Sequence, residues 1–189
     1  MIVRELRLTY PVWVFTVADF ERAYATREER MALVIALARA NIELEWGGPF
    51  GAAVFESESG RLVSVGVNSV LRMANSLWHA EVMALAMAHT RHASYTLAAP
   101  GLPPHELVTS CEPCAMCLGA TLWSGVRSLI CGATREDAES LGFDEGPVTD
   151  ASYAHLASRG IGVERGVQRE AARKVFEEYR ARGGVVYNG

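Results

Sequence analysis

The chain of 189 residues holds only four cysteines, and three of them fall inside "TSCEPCAMCLGA", residues 109–120. Four are too few for a disulfide scaffold, and cysteines three apart around a turn make poor staples, so reduced thiols are expected. Long apolar runs are missing as well. No charge-poor stretch approaches the roughly 20 residues of a membrane span, and the opening "MIVRELRLTY" is broken by Arg4, Glu5 and Arg7, unlike a secretory leader. A cytoplasmic protein is the expectation. Basic excess is also lacking: a net charge of -4 offers no general attraction for a polyanion, so neither a nucleic-acid partner nor a membrane is expected. Linkers, low-complexity segments and internal repeats are not found.

What remains is a chain that is 50% hydrophobic and 21% charged, enough to bury a sizeable core in one domain. Residues 1–25 mix strand-like alternation with Pro11 and read as an N-terminal extension of unassigned role, the domain proper spanning 26–189 with a C-terminal tail. From Arg27 to Trp46 the residues suit a buried helix, which "GGPFG" breaks. Phe50 to Glu56 and Leu62 to Val67 read as a hairpin around "SESG". A helix is predicted from near His79, then a strand at "ELVTS", a helix at "CAMCLGATLWSG" and a strand at "VRSLICGA". Further helices are predicted near Asp150–Ser158 and Gln168–Ala181. This alternation implies a three-layer α/β/α sandwich over a mixed sheet of about five strands.

The thiols can then be placed. Proline is favoured at the first position of a helix, so Pro113 would put Cys114 and Cys117 in one first turn and on one face, as a chelating pair. The helix N-terminus stabilises the thiolate, the form that binds a metal. Zinc takes four ligands, or three and a water where it is catalytic. Among five histidines His79 stands out, because "HAE" also opens a predicted helix and carries Glu81. His89, His92, His105 and His155 read as surface or capping residues, and Cys111 and Cys131 as buried structural thiols. Each motif alone also fits a bland role, as small core residues or as a carboxylate meeting a helix dipole.

Taken together, His79-Ala80-Glu81 and Pro113-Cys114-Ala115-Met116-Cys117 resemble the H-x-E…P-C-x-x-C signature of the cytidine deaminase superfamily. The resemblance implies that fold, one Zn2+ per subunit held by His79, Cys114 and Cys117, and Glu81 as the proton shuttle of a hydrolytic deamination. That His79 and Glu81 converge comes from the resemblance, since positions two apart do not share a helix face. "GGPFGAAV", Asn68 in "VGVNSVL" and "LGFDEG" are further similar to the bacterial guanine deaminase branch, over residues 27–189. Guanine to xanthine plus ammonia is the implied reaction, with related aminopurines or amino-triazines as further substrates. "PCxMC" fits tRNA adenosine deaminases equally well. Cytidine deamination and a structural zinc module stay open beside them.

In that branch the positions of Asn68 and the backbone around Ala80 hold the purine, and those of Phe50 and Trp123 line the pocket. Core packing would explain either aromatic, and a turn would explain Asn68. Guanine presents adjacent donors, N1–H and the exocyclic amine, which a carboxylate at Glu145 would accept; an acidic turn is the plain alternative. The branch often carries aspartate there, and Leu77 and Trp78 also depart from its usual small residues. Finally, "GGVVYNG" resembles the tails of swapped homodimers in which a tyrosine, here Tyr187, reaches the neighbour's pocket.

Overall fold

The computed structural model describes residues 4–188. Its elements are α1 (Val14–Val17), α2 (Arg27–Glu43), β1 (Gly51–Glu56), β2 (Leu62–Val67), α3 (Val70–Met73), α4 (Ala80–His92) and β3 (His105–Cys111), followed by α5 (Ala115–Ser124), β4 (Ser128–Ala133), α6 (Arg135–Glu139), α7 (Asp150–Ser158), β5 (Gly162–Glu164) and α8 (Arg169–Ala181). The strands form one sheet in the order β2-β1-β3-β4-β5. β1 runs antiparallel to β2 and β3, whereas β3, β4 and β5 are parallel. This is the mixed sheet expected.

Local chemistry explains where the helices begin. Thr26 accepts the N–H of Glu29 at 3.1 Å while the Glu29 carboxylate accepts that of Thr26 at 3.2 Å, a reciprocal cap that starts α2. Thr134 and Asp137 repeat the device on α6. Parallel strands covered on both faces lose the polar alternation of a half-exposed strand, and all seven residues of β3 are buried. On one face Met31, Val34 and Leu37 of α2 pack with Phe176 of α8. On the other, Ala84 and Leu85 of α4 meet Leu118 of α5 and Leu156 of α7. The two cores make the three-layer sandwich.

The N-terminal segment forms no long strand. It places Val14, Ala18 and Tyr24 in the α2-side core and runs beside β2, the outer strand of the sheet. There the Tyr10 hydroxyl accepts the N–H of Val65 at 3.4 Å, Tyr24 N–H donates to Gly60 O at 2.8 Å, and Ala23 bridges to Arg61. An open strand edge invites pairing with other chains, and this segment covers part of it. Residues 1–3 of the extension lie outside the described residues.

One expectation needs correcting. His105 is neither a surface nor a capping residue: it is fully buried in β3, with Nδ1 3.3 Å from Leu97 O and Nε2 3.1 Å from His92 Nε2. The C-terminal tail reaches the site of its own chain. Gly183, at φ +69°, turns the chain after α8, and the Tyr179 hydroxyl donates to Val185 O at 2.7 Å. Val185 and Val186 remain exposed, while Tyr187 folds inward against Phe143. Cys111 and Cys131 are free and buried, as expected.

Candidate active site

The site forms where the N-termini of α4 and α5 meet. His79 is the N-cap of α4 and Cys114 the N-cap of α5, both with extended backbone. Pro113 therefore precedes the cap instead of opening the helix, and Cys114 sits one position earlier than expected. The spacing still works, because Cys117 falls in the first turn on the same face. The cap position also resolves the geometry of the first motif. His79 lies outside the helix proper, so its ring escapes the helical angle that would separate it from Glu81.

A ring nitrogen of His79, Cys114 Sγ and Cys117 Sγ all lie within 4.8 Å of one another, the one such cluster of three among the described residues. The Nδ1 to Cys114 Sγ distance is 3.5 Å. An ion about 2.0 Å from nitrogen and 2.3 Å from sulfur, with tetrahedral angles, would hold these atoms roughly 3.6 Å apart. The borderline-soft donor set and its spacing both suit zinc.

Charge at the site is negative and confined. Hydrogen bonding from Cys117 pulls the Cys114 thiol well below its ordinary pKa, and the same bond pushes Cys117 up, so the pair shares one thiolate. Burial works against charge on His79, but the Cys114 sulfur and Glu81 outweigh it and raise the imidazole. Glu81 is pushed up to about 7, by burial first and then by the negative Cys114. Glu145 is pushed up to about 8 by burial, Cys114 and Glu81. Such a cluster favours a bound cation.

Phe50, Phe143 and Tyr187 wall the pocket that Glu81, Glu145, His79 and Cys114 line. Phe143 stands edge-on to Phe50 at 5.1 Å and to Tyr187 at 5.2 Å between ring centroids. The Glu145 carbonyl accepts the N–H of Ala115 at 3.0 Å, which ties the "GFDEG" loop to the start of α5. Ala80 is buried at the first position of α4. Asn68 is buried where β2 ends; its N–H donates to Phe50 O at 3.1 Å and its Oδ1 accepts from Val70 N at 3.3 Å. The Tyr187 hydroxyl is buried without a partner among the described residues, and burial raises its pKa.

Trp123 does not join them. Its side chain is 71% exposed beneath the Arg159 guanidinium, because α5 turns Cys117, Leu118, Thr121 and Ser124 inward and leaves Trp123 outside. Phe143 takes the wall position that was expected of it. "LGFDEG" marks the resemblance to the guanine deaminase branch, and nothing local in it singles out Phe143. Glu112 was missed too: 2% exposed at the pocket's edge, its carboxylate accepts from Arg135 N at 3.1 Å and pairs with Arg165. A glutamate between a cysteine and a proline gave no sign of this.

A histidine and two thiols on converging helix starts, with a buried carboxylate among them and a mixed sheet behind, define a zinc-dependent hydrolytic deaminase. Residues 25–133 match the model of the cytidine and deoxycytidylate deaminase zinc-binding region, and the chain belongs to that family. The chain is similar to the guanine deaminase of Bacillus subtilis (strain 168), 37% identical over 111 residues that span 59% of this chain and 67% of that one. It is also similar to the solved guanine deaminase from Nitrosomonas europaea, with a TM-score of 0.90 and 44% identity over 96% of this chain and 99% of that one. A structure solved with 2,6-diaminopurine has a TM-score of 0.89 and 46% identity over 96% of both chains.

Proposed function

We propose that the chain deaminates free guanine to xanthine and ammonia, consuming one water. The observation that carries this is the place of Glu145, a buried carboxylate sharing one aromatic-walled pocket with Glu81 and the His79-Cys114-Cys117 cluster. A carboxylate accepts from donors, and guanine turns two adjacent donors, N1–H and the exocyclic amine, to such a group. Adenine turns an acceptor there and is repelled. The guanine deaminases similar to this chain support the same choice.

His79, Cys114 and Cys117 hold the zinc, which when bound supplies Lewis acidity and makes water a stronger acid. Glu81 takes a proton from the attacking water and delivers it to the ring nitrogen beside the reacting carbon. As the C–O bond forms and the C–N bond breaks, the amine leaves with a further proton as ammonia. Glu145 holds N1–H and faces the leaving amine, so it orients the base. Asn68 and the backbone at Ala80 fix the purine's other edge, Phe50 and Phe143 wall one side of it edge-on to each other, and Tyr187 excludes water behind it. A tail at this position leaves no room for a ribose and selects the free base.

We place this reaction in the cytoplasm, on the strength of four free thiols. No helix among the described residues is long and apolar enough to cross a membrane. We further assign a homodimer, because the uncharged outer face of α5 leaves Trp123 open beside a groove lined by Leu118, Gly119 and Leu122; light scattering tests it.

Ammonia release from guanine, adenine, cytosine, their nucleosides and a tRNA anticodon stem tests the substrate. Guanine should be turned over fastest. Faster release from cytidine or from the tRNA stem would overturn the reading.

A further inference from the structure

Asn41 lies in the last third of α2, fully buried, on a helix that contributes no group to the reaction pocket. A buried amide in a helix facing a sheet would ordinarily be replaced by an apolar residue, because its polar atoms cost free energy unless they are paired. Here the amide is spent on two loops. Nδ2 donates to Gly48 O at 2.8 Å and to Asn68 O at 2.9 Å. Both partners are carbonyls, so the nitrogen's position is dictated by its surroundings. The Asn41 backbone carbonyl accepts Trp46 N–H at 2.9 Å and Gly47 N–H at 3.4 Å, while the side-chain Oδ1 is buried without a partner among the described residues, so Nδ2 alone carries the side chain's bonds.

These bonds join the two segments that carry the substrate-facing groups. One runs from Gly47 to Phe50, and the other is the end of β2 at Asn68. The packing between them has no slack. A Cβ on Gly47 would overlap the Asn68 carbonyl and a Cβ on Gly48 would overlap the Tyr187 hydroxyl, so the loop is pressed between β2 and the tail. Phe50 N–H donates back to Gly48 O at 2.9 Å, and Asn68 N–H donates to Phe50 O at 3.1 Å. One side chain from outside the pocket thus ties its Phe50 wall to Asn68 and sets the seat of Tyr187.

We infer that Asn41 is a positioning residue for purine recognition: its side-chain amide fixes the Gly47–Phe50 loop against Asn68 and thereby sets affinity for the base, without touching it. The inference rests on the guanine reading above and deepens it. Zinc and Glu81 are held by the α4 and α5 starts, which Asn41 does not contact, so loosening the loop separates binding from chemistry.

Asn41→Leu keeps the branched shape but removes the donor, leaving Asn68 O unpaired and Gly48 O with Phe50 N–H alone, whereas Asn41→Ser leaves space in which a water can bridge the two carbonyls. Steady-state kinetics with guanine and calorimetric binding of 8-azaguanine read the outcome. Met31→Ala, a cavity in the same helix away from both loops, supplies the control for lost stability. The expected result is a KM and an inhibitor Kd raised about tenfold or more in Asn41→Leu and less in Asn41→Ser, with zinc content unchanged and kcat within about threefold. Met31→Ala should lower the melting temperature and leave KM unchanged. If Asn41→Leu does not fold, the Asn41→Ser kinetics decide alone. A KM and Kd equal to the parent's in the folded variants would overturn the inference while leaving guanine as substrate. A parent that does not turn over guanine would instead overturn the function on which it rests.

Discussion

Nδ1 of His79 lies 3.5 Å from Sγ of Cys114, each residue being the cap of a different helix. Two helices packed through residues such as Ala84 and Leu118 on one sheet face thus present their ligands at the spacing of a tetrahedral metal site. The protein should carry one zinc per chain. Stripping with a chelator should abolish ammonia release and zinc should restore it, while Cys117→Ser should lower bound metal in elemental analysis. Full activity in the stripped protein would contradict the assignment.

Glu81→Gln keeps the size of the side chain and removes its proton traffic. Positioned acid–base catalysis contributes roughly 100- to 10,000-fold, so kcat for guanine should fall by about that range with zinc content unchanged. A variant within a few-fold of the parent would take Glu81 out of the chemistry.

Glu145→Gln replaces an acceptor of two donors with a group that also donates. Loss of a charge-assisted bond, about 1.5 to 3 kcal/mol, predicts a kcat/KM for guanine lower by roughly 10- to 150-fold. Circular dichroism should show an unchanged fold. An unaltered kcat/KM would place the carboxylate outside the recognition edge.

The same two carboxylates make the metal-free protein sensitive to base. Folding raises Glu81 to about 7 and Glu145 to about 8, from an ordinary value of 4.5. The folded state therefore retains protons that the unfolded state gives up. Their contribution to stability is complete below pH 4.5 and is lost as pH rises through about 7 to 8. Thermal melts of the stripped protein should show a falling melting temperature across that window, and Glu145→Gln, neutral throughout, should flatten the slope. A slope identical in the variant would show that Glu145 is not the titrating group.

Much of this was legible in the chain. The helix from Arg27, the apolar run of β3 and the paired motifs at His79 and Cys114 each carry a local signal that tertiary packing reinforces. What escaped had no local signal. β5 spans three residues, too few to show a period. Trp123 and Phe143 are both aromatics near motifs, and which one faces the pocket depends on the rotation of α5 against the sheet. Asn41 lies on a helix of apolar neighbours, and its role exists only once two distant loops come within reach of Nδ2.

The tail yields the last prediction. Val185, Val186 and Tyr187 are too few to fold alone, and the tail is tied down at two places. The Tyr179 hydroxyl holds Val185 O at 2.7 Å, and Asn188 Oδ1 accepts the N–H of Asp144 at 2.9 Å. Between them the Tyr187 ring packs on Phe143, and its hydroxyl has no partner among the described residues. A buried hydroxyl left unpaired costs about 1 to 3 kcal/mol, which a polar atom of a bound base would offset. Removing residues 185–189 should therefore cost most of the guanine activity and spare zinc content. Tyr187→Phe, which keeps the ring and deletes the hydroxyl, should weaken guanine binding by a smaller factor than Tyr187→Ala. Because the tail closes its own chain's pocket, mixing the truncated protein with full-length Glu81→Gln should restore nothing. Activity regained in that mixture, measured as ammonia release after co-refolding, would show that tails cross between subunits, as the resemblance to swapped dimers implied.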